Sequence, residues 1–379
     1  MSTRVLTKLA RFVRDTWLVT GIVLVLLILI EGALSLGMYL IEIPDYRIHA
    51  DGYQGAPWVR DYFREFHDAG RCGWQPYVYW RHRAFSGKYV NVDDRGIRYT
   101  LKAGNPAPTA PPYTVFMFGG STVWGTGARD TRTIPSLVAS GLRREGMEVN
   151  VVNFGEAGYV STQEVIQLLL QLRQGNIPQL VVFYDGVNDT YSAYQQGVAG
   201  IPENEFHRVS AFRPSIGTLL AGAIRELPTS KLARKIVSRP QRGKTAHRTE
   251  PKNLAQEVVE MYYGNIAVVE SLSKSFGFRT LFYWQPTIFG KQTLSHYESR
   301  EREKLQNAEE FFLETGREIR KRSEAGTEGI LKDLSDVFRE VSSPLYIDWC
   351  HLGEYGNSLV AQKIVEDILP LVREGNGGT

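Results

Sequence analysis

The sequence predicts an α/β fold: a three-layer α/β/α sandwich on a five-stranded parallel sheet, preceded by an N-terminal transmembrane helix and a small β-rich preface. Three observations predict it. From Tyr113 onward short apolar runs alternate with helical patterns, the order that builds a parallel sheet covered on both faces. Trp17 to Ile41 is a run of 25 residues whose one charged side chain is Glu31, long enough to cross a bilayer. Between these lies a segment rich in aromatics that alternates like strands around a turn.

The N-terminal element comes first. Arg4, Lys8, Arg11 and Arg14 give residues 1–16 a basic bias that keeps this end cytoplasmic and puts the chain after residue 42 outside the cytoplasm. A cleaved signal peptide is the rival reading, since Ala33-Leu34-Ser35 resembles a small-residue cleavage site. The apolar run resumes after Glu31 as far as Met38–Ile41, which favours a retained anchor over 17–41. Glu31 is costly in such a helix, by about 2.5–3.5 kcal/mol at the bilayer centre, so it must snorkel, take up a proton or face a partner.

Residues 42–112 form the preface and linker. Lys88–Val92 and Ile97–Leu101 alternate around Asp93-Asp94-Arg95-Gly96, a hairpin turn by its chemistry rather than a metal site. "GNPAPTAPP", residues 104–112, reads as a proline-rich linker. The sandwich then runs over 113–379. Its expected strands are Tyr113–Phe118, Val149–Phe154, Leu180–Tyr184, Arg279–Trp284 and Leu345–Ile347. Helical patterns cover Pro135–Arg144, a stretch opened by a Ser161/Glu164 capping box and closed by Gly175, Asn253–Lys274, Ser295–Arg322 and Asn357–Val372. Residues 191–251 break the rhythm as an insertion, in which nine lysines and arginines face only Glu226 and Glu250 between Arg225 and Lys252. That run reads as a solvated helical face, with a lid or a surface for anionic headgroups or glycans as the sharper alternative.

Composition excludes several function classes. A net charge of +3 with no interleaving of basic and aromatic residues argues against nucleic acid. "GGSTVWGTGA" lacks the Gly-Lys-Ser/Thr ending of a phosphate-binding loop, and "GTGARD" lacks the third glycine of a dinucleotide fingerprint. Two cysteines and scattered histidines argue against structural zinc, so neither a metal nor a cofactor is expected. Outside the cytoplasm Cys72 and Cys350 are candidates for a disulfide, the alternative being two separate small buried hydrophobes.

What remains is a set of residues at strand ends. "TVFMFGGSTVWG" places Ser121 at the carboxyl edge of the first strand, where open α/β sheets bind ligands. After the second strand "NFGEAGYVST" offers Asn153, Gly155 and Gly158, and after the third "YDGVNDT" offers the Asn188 amide. "DWCHLGEYGN" sets Asp348 three residues before His351, so that one can hold the imidazole while its other nitrogen takes a serine proton. Each segment alone is weak. Their joint occurrence, in order and after separate strands, resembles the SGNH hydrolase superfamily of GDSL-type esterases and lipases over residues 113–372. That resemblance implies a flavodoxin-like fold with Ser121 as nucleophile, His351 as base and Asp348 as its orienter. It also implies an oxyanion hole made by the N–H groups of Ser121 and Gly158 with the Asn188 amide. The family's usual aspartate before the serine is Gly120 here. Asn188-Asp189-Thr190 also matches a glycosylation sequon, read as chance because a glycan would block the site.

The expected protein is therefore a membrane-anchored extracytoplasmic ester hydrolase that removes or transfers small O-acyl groups. Its expected substrate is an acylated glycan of the cell envelope, with acyl lipids second, and a membrane partner protein and a non-catalytic glycan-binding role are the open alternatives. "FYWQPTIFG", residues 282–290, is a candidate lining of the acyl pocket, with core packing as the competing reading.

Overall fold

The computed structural model describes residues 3–40, 44–101, 112–205, 224–237, 251–325 and 329–376, with a few isolated positions between 206 and 223. Residues 104–111 of the expected linker and most of the basic stretch after Val237 lie outside the described residues. The described chain falls into two units, one of Met1–Ile43 with Phe206–Arg242 and one of Pro44–Glu205 with Gly243–Thr379.

In the first unit a single helix runs from Thr3 to Leu40, and its apolar part, Ala10–Gly37, has a mean hydropathy of 2.5 and no buried side chains. It is long and apolar enough to cross a membrane. Glu31 finds a partner on it: its carboxylate accepts the backbone N–H of Thr229 at 3.0 Å and the Thr229 hydroxyl, at the start of the helix Pro228–Val237. A carboxylate at that end satisfies donors that no helical carbonyl can reach and complements the helix dipole.

The second unit holds the sandwich. Strands β1 (Cys72–Gln75) and β2 (Tyr79–His82) pair as an antiparallel hairpin, and β3 (Phe85–Ser86) pairs with β4 (Asn91–Val92). The expected turn at Asp93–Gly96 forms, closed by Gly96 N–H to Asp93 O and by the Asp93 carboxylate on the N–H of Arg95 and Ile97. Its flanks make only isolated bridges, at Arg98 with Val92 and with Asn153, because Arg98 is drawn into the core instead of extending a ladder.

The main sheet comprises β5 (Tyr113–Gly119), β6 (Val149–Asn153), β7 (Leu180–Asp185), β8 (Arg279–Trp284) and β9 (Leu331–Asp333), all parallel in the order β6-β5-β7-β8-β9. The α/β class and the five-stranded sheet are as the sequence predicts. Alternation along the strands feeds two cores: Val115, Met117, Val182, Tyr184 and Tyr283 on one face, Phe116, Phe118, Val181, Phe183 and Phe282 on the other. On the second face Phe154, Phe118, Phe183 and Phe282 stack in a row across four segments, with centroids 4.9, 5.2 and 4.8 Å apart. Burial of each ring contributes on the order of 2–3 kcal/mol before the gain from stacking.

Three expectations are corrected. Leu345–Ile347 is not the fifth strand; Leu331–Asp333 is. The N–H groups of Leu345 and Tyr346 donate to the Glu298 carboxylate at 2.8 and 3.0 Å, and Ile347 N–H turns back to His351 O, so no ladder is left to make. The helix after β6 starts at Ser161 with Val160 as its cap, and the expected Ser161/Glu164 box is absent: Gln163 accepts the Val160 N–H, while Ser161 faces Asp189. The pattern over Ser295–Arg322 is two helices, His296–Lys304 and Gln306–Ala325, broken at Leu305.

Glu298 is fully buried and pairs with equally buried Lys291 at 2.9 Å. Glu298→Ala removes the acceptor of two strand-like N–H groups and leaves Lys291 without its carboxylate, so it is expected to lower unfolding stability by about 3–5 kcal/mol. Chemical denaturation monitored by tryptophan fluorescence tests this, and a midpoint equal to the parent's would contradict it.

Candidate active site

The sheet order puts β5 between β6 and β7, the point where connections diverge to opposite sides and open α/β folds form a crevice. Ser121 stands there, at the first position of a one-turn helix, Ser121–Trp124. The turn after it, the glycine-rich run that stands out in the sequence, is held from outside the sheet. Gly125 has φ +105°, and a side chain there would meet Thr133 Cγ2 at 2.3 Å, so only glycine fits. The carbonyls this turn presents are taken by the fully buried Arg98, which donates to Trp124 O (3.1 Å), Gly125 O (2.7 Å) and Ala128 O (2.7 Å) and pairs with Asp130. Tyr62 adds hydrogen bonds to Gly125 O and from Gly127 N–H. The preface thus fixes the nucleophile's helix from behind.

The loop after β6 closes on the same helix. Asn153 Nδ2 donates to Val123 O at 3.0 Å while its Oδ1 accepts Gly155 N–H at 2.9 Å. Glu156, wholly buried, accepts the N–H of His82 and Ala157 and lies in ion-pair contact with the His82 imidazole, whose ring stacks on Trp124 at 4.4 Å. Among the described residues, ligand atoms of Cys72, His82 and Glu156 lie within 4.8 Å of one another, as do those of Asp348, Cys350 and His351, each group with a single histidine.

The loop after Ile347 brings the last group in. Ser121 Oγ and His351 Nε2 are 2.6 Å apart, and His351 Nδ1 lies 2.7 Å from Asp348 Oδ2 and 2.9 Å from Oδ1. With Nδ1–H donated to the carboxylate, Nε2 carries the lone pair that faces the hydroxyl. Asp348 Oδ1 also accepts the N–H of Cys350 and His351, which folds the loop around the carboxylate. Burial alone would raise the Asp348 carboxyl; the adjacent His351 imidazole and its hydrogen bond, then Arg47, hold it well below the usual carboxylate range.

Asn188 begins the helix Val187–Gln196, and its Nδ2 donates to Tyr159 O at 2.7 Å. An amide nitrogen has two protons, and the bond to Tyr159 O uses one of them and fixes the amide's orientation. A Cβ at Gly120 would lie 2.2 Å from this nitrogen. Gly158 precedes Tyr159 on the same loop, with φ +76°. Asn188 is half-buried, its amide nitrogen donated to Tyr159 O.

Two other expectations fare differently. Cys72 and Cys350 are free thiols, and no disulfide staples the preface to the closing loop. Cys72 is exposed on β1, whereas Cys350 is buried with Sγ 3.5 Å from His351 Nδ1; burial, then the Asp348 charge, pushes its thiol well up and keeps it neutral. From 282–290, Phe282, Trp284 and Phe289 are buried in the cores; Trp284, Gln285, Thr287 and Gly290 also line a cavity of about 210 Å³ whose walls do not include Ser121.

Sequence reasoning missed Arg47. Its Nη1 stands 3.6 Å from Asp348 Oδ2, its other donors grip Asp45 at 2.7 and 2.9 Å, and the rings of Phe63 and Phe66 lie beside it with centroids 4.9 and 5.0 Å away. Asp45 and Arg47 are visible as a local pair, but nothing in the chain links them to residue 348. Also missed is a buried acidic group under Asn188. Asp189 receives the Ser161 hydroxyl at 2.6 Å, and Glu164 and Asp185 face each other beside Tyr262. Burial raises all three, Asp189 to about 6 and both Glu164 and Asp185 above the usual carboxylate range.

One outcome follows from these charges. For the acidic group the folded values lie above the unfolded ones, so its stabilising effect is complete at low pH and disappears as pH rises through the folded values. Asp189 alone implies a loss of roughly 3 kcal/mol between about pH 4 and pH 7. Urea midpoints across that range check it, with Asp189→Asn expected to flatten the slope.

A family model described as GDSL-like lipase/acylhydrolase matches residues 115–364. Among solved structures the chain is similar to the acetyl xylan esterase AlAXEase, at 16% identity over 67% of this chain and 99% of that one, with a TM-score of 0.41. It is similar to an acetylxylan esterase from Geobacillus stearothermophilus at 14% identity over 71% and 96% of the two chains, TM-score 0.40. A member of the lipolytic G-D-S-L family from Veillonella parvula gives 12% identity over 67% and 96%, TM-score 0.38. No curated protein matches the sequence.

Proposed function

The chain belongs to the GDSL-like lipase/acylhydrolase family and is a carboxylic ester hydrolase of the SGNH type, and from that premise we propose that Ser121, His351 and Asp348 are its catalytic triad. The observation that carries the assignment is the unbroken line of hydrogen-bonding contacts from Ser121 Oγ to His351 Nε2 and from His351 Nδ1 to Asp348, at 2.6 and 2.7 Å. His351 takes the Ser121 proton as Oγ attacks the ester carbonyl. The oxyanion is held by the N–H groups of Ser121 and Gly158 and by the second Asn188 proton. Collapse expels the alcohol, which takes the proton back from His351, and leaves an acyl-enzyme. Water, activated by the same imidazole, releases the acid; a sugar hydroxyl in its place gives transfer.

The apolar helix is read as a retained anchor with residues 1–16 cytoplasmic, which puts the hydrolase outside the cytoplasm. In that compartment the reading favours small O-acyl groups on envelope glycans, ahead of acyl lipids. Ser121→Ala is expected to reduce hydrolysis of an activated acetyl ester by about 10⁶-fold in kcat and to abolish labelling by a fluorophosphonate. Label recovered on any peptide other than the one carrying Ser121 would sink the assignment.

A further inference from the structure

The aromatic segment of the preface has one feature that the triad does not use. The β1–β2 hairpin turns at Pro76-Tyr77-Val78 and leaves two large rings in solvent, Trp74 at 72% and Tyr77 at 68% exposure. Tyr77 and Tyr79 both hold left-handed backbone, φ +71° and +74°, a conformation that non-glycine residues adopt rarely and that persists where the surroundings impose it. The surroundings are visible. Val78 between them is fully buried, and its carbonyl accepts Gln163 Nε2 at 2.8 Å. The hairpin tip is thus pinned by its middle residue while Tyr77 is turned outward and the partly buried Tyr79 donates its hydroxyl to Glu205 at 3.2 Å.

From this tip a file of rings leads to the reacting serine's surroundings. Trp74 lies 5.8 Å from Tyr79, Tyr79 stacks on Trp80 at 6.4 Å, and Trp80 meets Tyr159 edge-on at 5.5 Å. Trp80 Nε1 donates to Ala157 O at 2.8 Å, and its Cζ2 lies 3.5 Å from where a Cβ on Gly158 would stand. Tyr159 donates its hydroxyl to Trp80 O and accepts the Asn188 amide on its carbonyl. The hairpin that carries the outer rings is therefore hydrogen-bonded to the loop of Gly158, which in turn holds the Asn188 amide.

We infer that Trp74, Tyr77 and Tyr79 form a stacking platform for the pyranose rings of an acylated glycan, leading its acyl group to Ser121. This rests on the ester-hydrolase reading with a glycan substrate. A pyranose presents C–H bonds on a face and hydroxyls around its edge, which suits flat indole and phenol faces with polar rims. A surface for inserting into lipid needs aliphatic side chains beside the aromatics, and the one aliphatic residue of this tip, Val78, is buried.

The test uses the full-length protein in detergent with 4-nitrophenyl acetate and an O-acetylated cello-oligosaccharide. Trp74→Ala combined with Tyr77→Ala is expected to lower kcat/KM on the oligosaccharide by about five- to tenfold, the size of a lost ring contact, and to leave 4-nitrophenyl acetate unaffected. Trp74→Phe, which keeps a ring, restores most of the loss. Equal losses on both esters, or none on the oligosaccharide, would overturn the platform. Calorimetric titration of Ser121→Ala with the deacetylated oligosaccharide separates this from the reading beneath it. Binding that disappears with Trp74→Ala supports the platform even where the parent does not turn the acetylated sugar over, in which case only the substrate reading falls. No binding by the parent, or binding to anionic vesicles lost with the same substitution, overturns the platform.

Discussion

The contact between Ser121 Oγ and His351 Nε2 joins residues 230 positions apart: Ser121 directly follows β5, and His351 reaches it on a loop held by Glu298 and Asp348 rather than by a strand. A shift of one strand by a single register step would turn every side chain to the opposite face and end it. Everything near the site can be read as a device for holding that separation. The nucleophile's helix is one turn long and has too few internal hydrogen bonds to hold itself. It is fixed by Arg98 and Tyr62 on the carbonyls beyond it and by Asn153 on the carbonyl of Val123.

The preface therefore acts as a wall of the active unit. A buried guanidinium is expensive unless its donors are met, and Arg98 meets three carbonyls and one carboxylate while lying 4.4 Å from the Trp124 ring. Trp124 also receives His82 on its ring and packs in a core with Tyr62, Phe63 and Val90. The same segment delivers Arg47 to the far side of Asp348. One stretch of chain thus touches the nucleophile's helix, the glycine loop through Glu156, and the carboxylate that orients the base.

Local periodicity made four of the five strands legible to within a residue or two, because Val115–Phe118, Val181–Tyr184 and Leu281–Trp284 are apolar on both faces and bounded by glycine or polar turns. It failed where a distant side chain does the work of a neighbouring strand. Leu345–Ile347 has strand-like composition, yet its N–H groups go to Glu298, 47 and 48 positions away. Leu331–Asp333 has one apolar residue in three, and only the exposed ladder of β8 makes it a strand. Ser161 and Glu164 have the spacing of a cap, but both are claimed by Asp189 and Asp185 on another element. Four short segments marked the site, three of them directly after β5, β6 and β7 and the fourth, Asp348–His351, after the strand-like run Leu345–Ile347. Arg47 and Arg98 carry no such mark, since their roles depend on where the preface lies.

Gly120, where the family pattern has an aspartate, follows from the same crowding. The Asn188 nitrogen occupies the space a Cβ at 120 would need, and that nitrogen is held by Tyr159 O. A side chain at 120 must move the amide, and moving the amide breaks its bond to Tyr159 O. Glycine at 120 and the fixed orientation of Asn188 are thus one arrangement. Under the proposed mechanism an aspartate at 120 would also add negative charge beside the oxyanion, where stabilisation needs donors, while Asp348 already supplies the anion on the far side of His351.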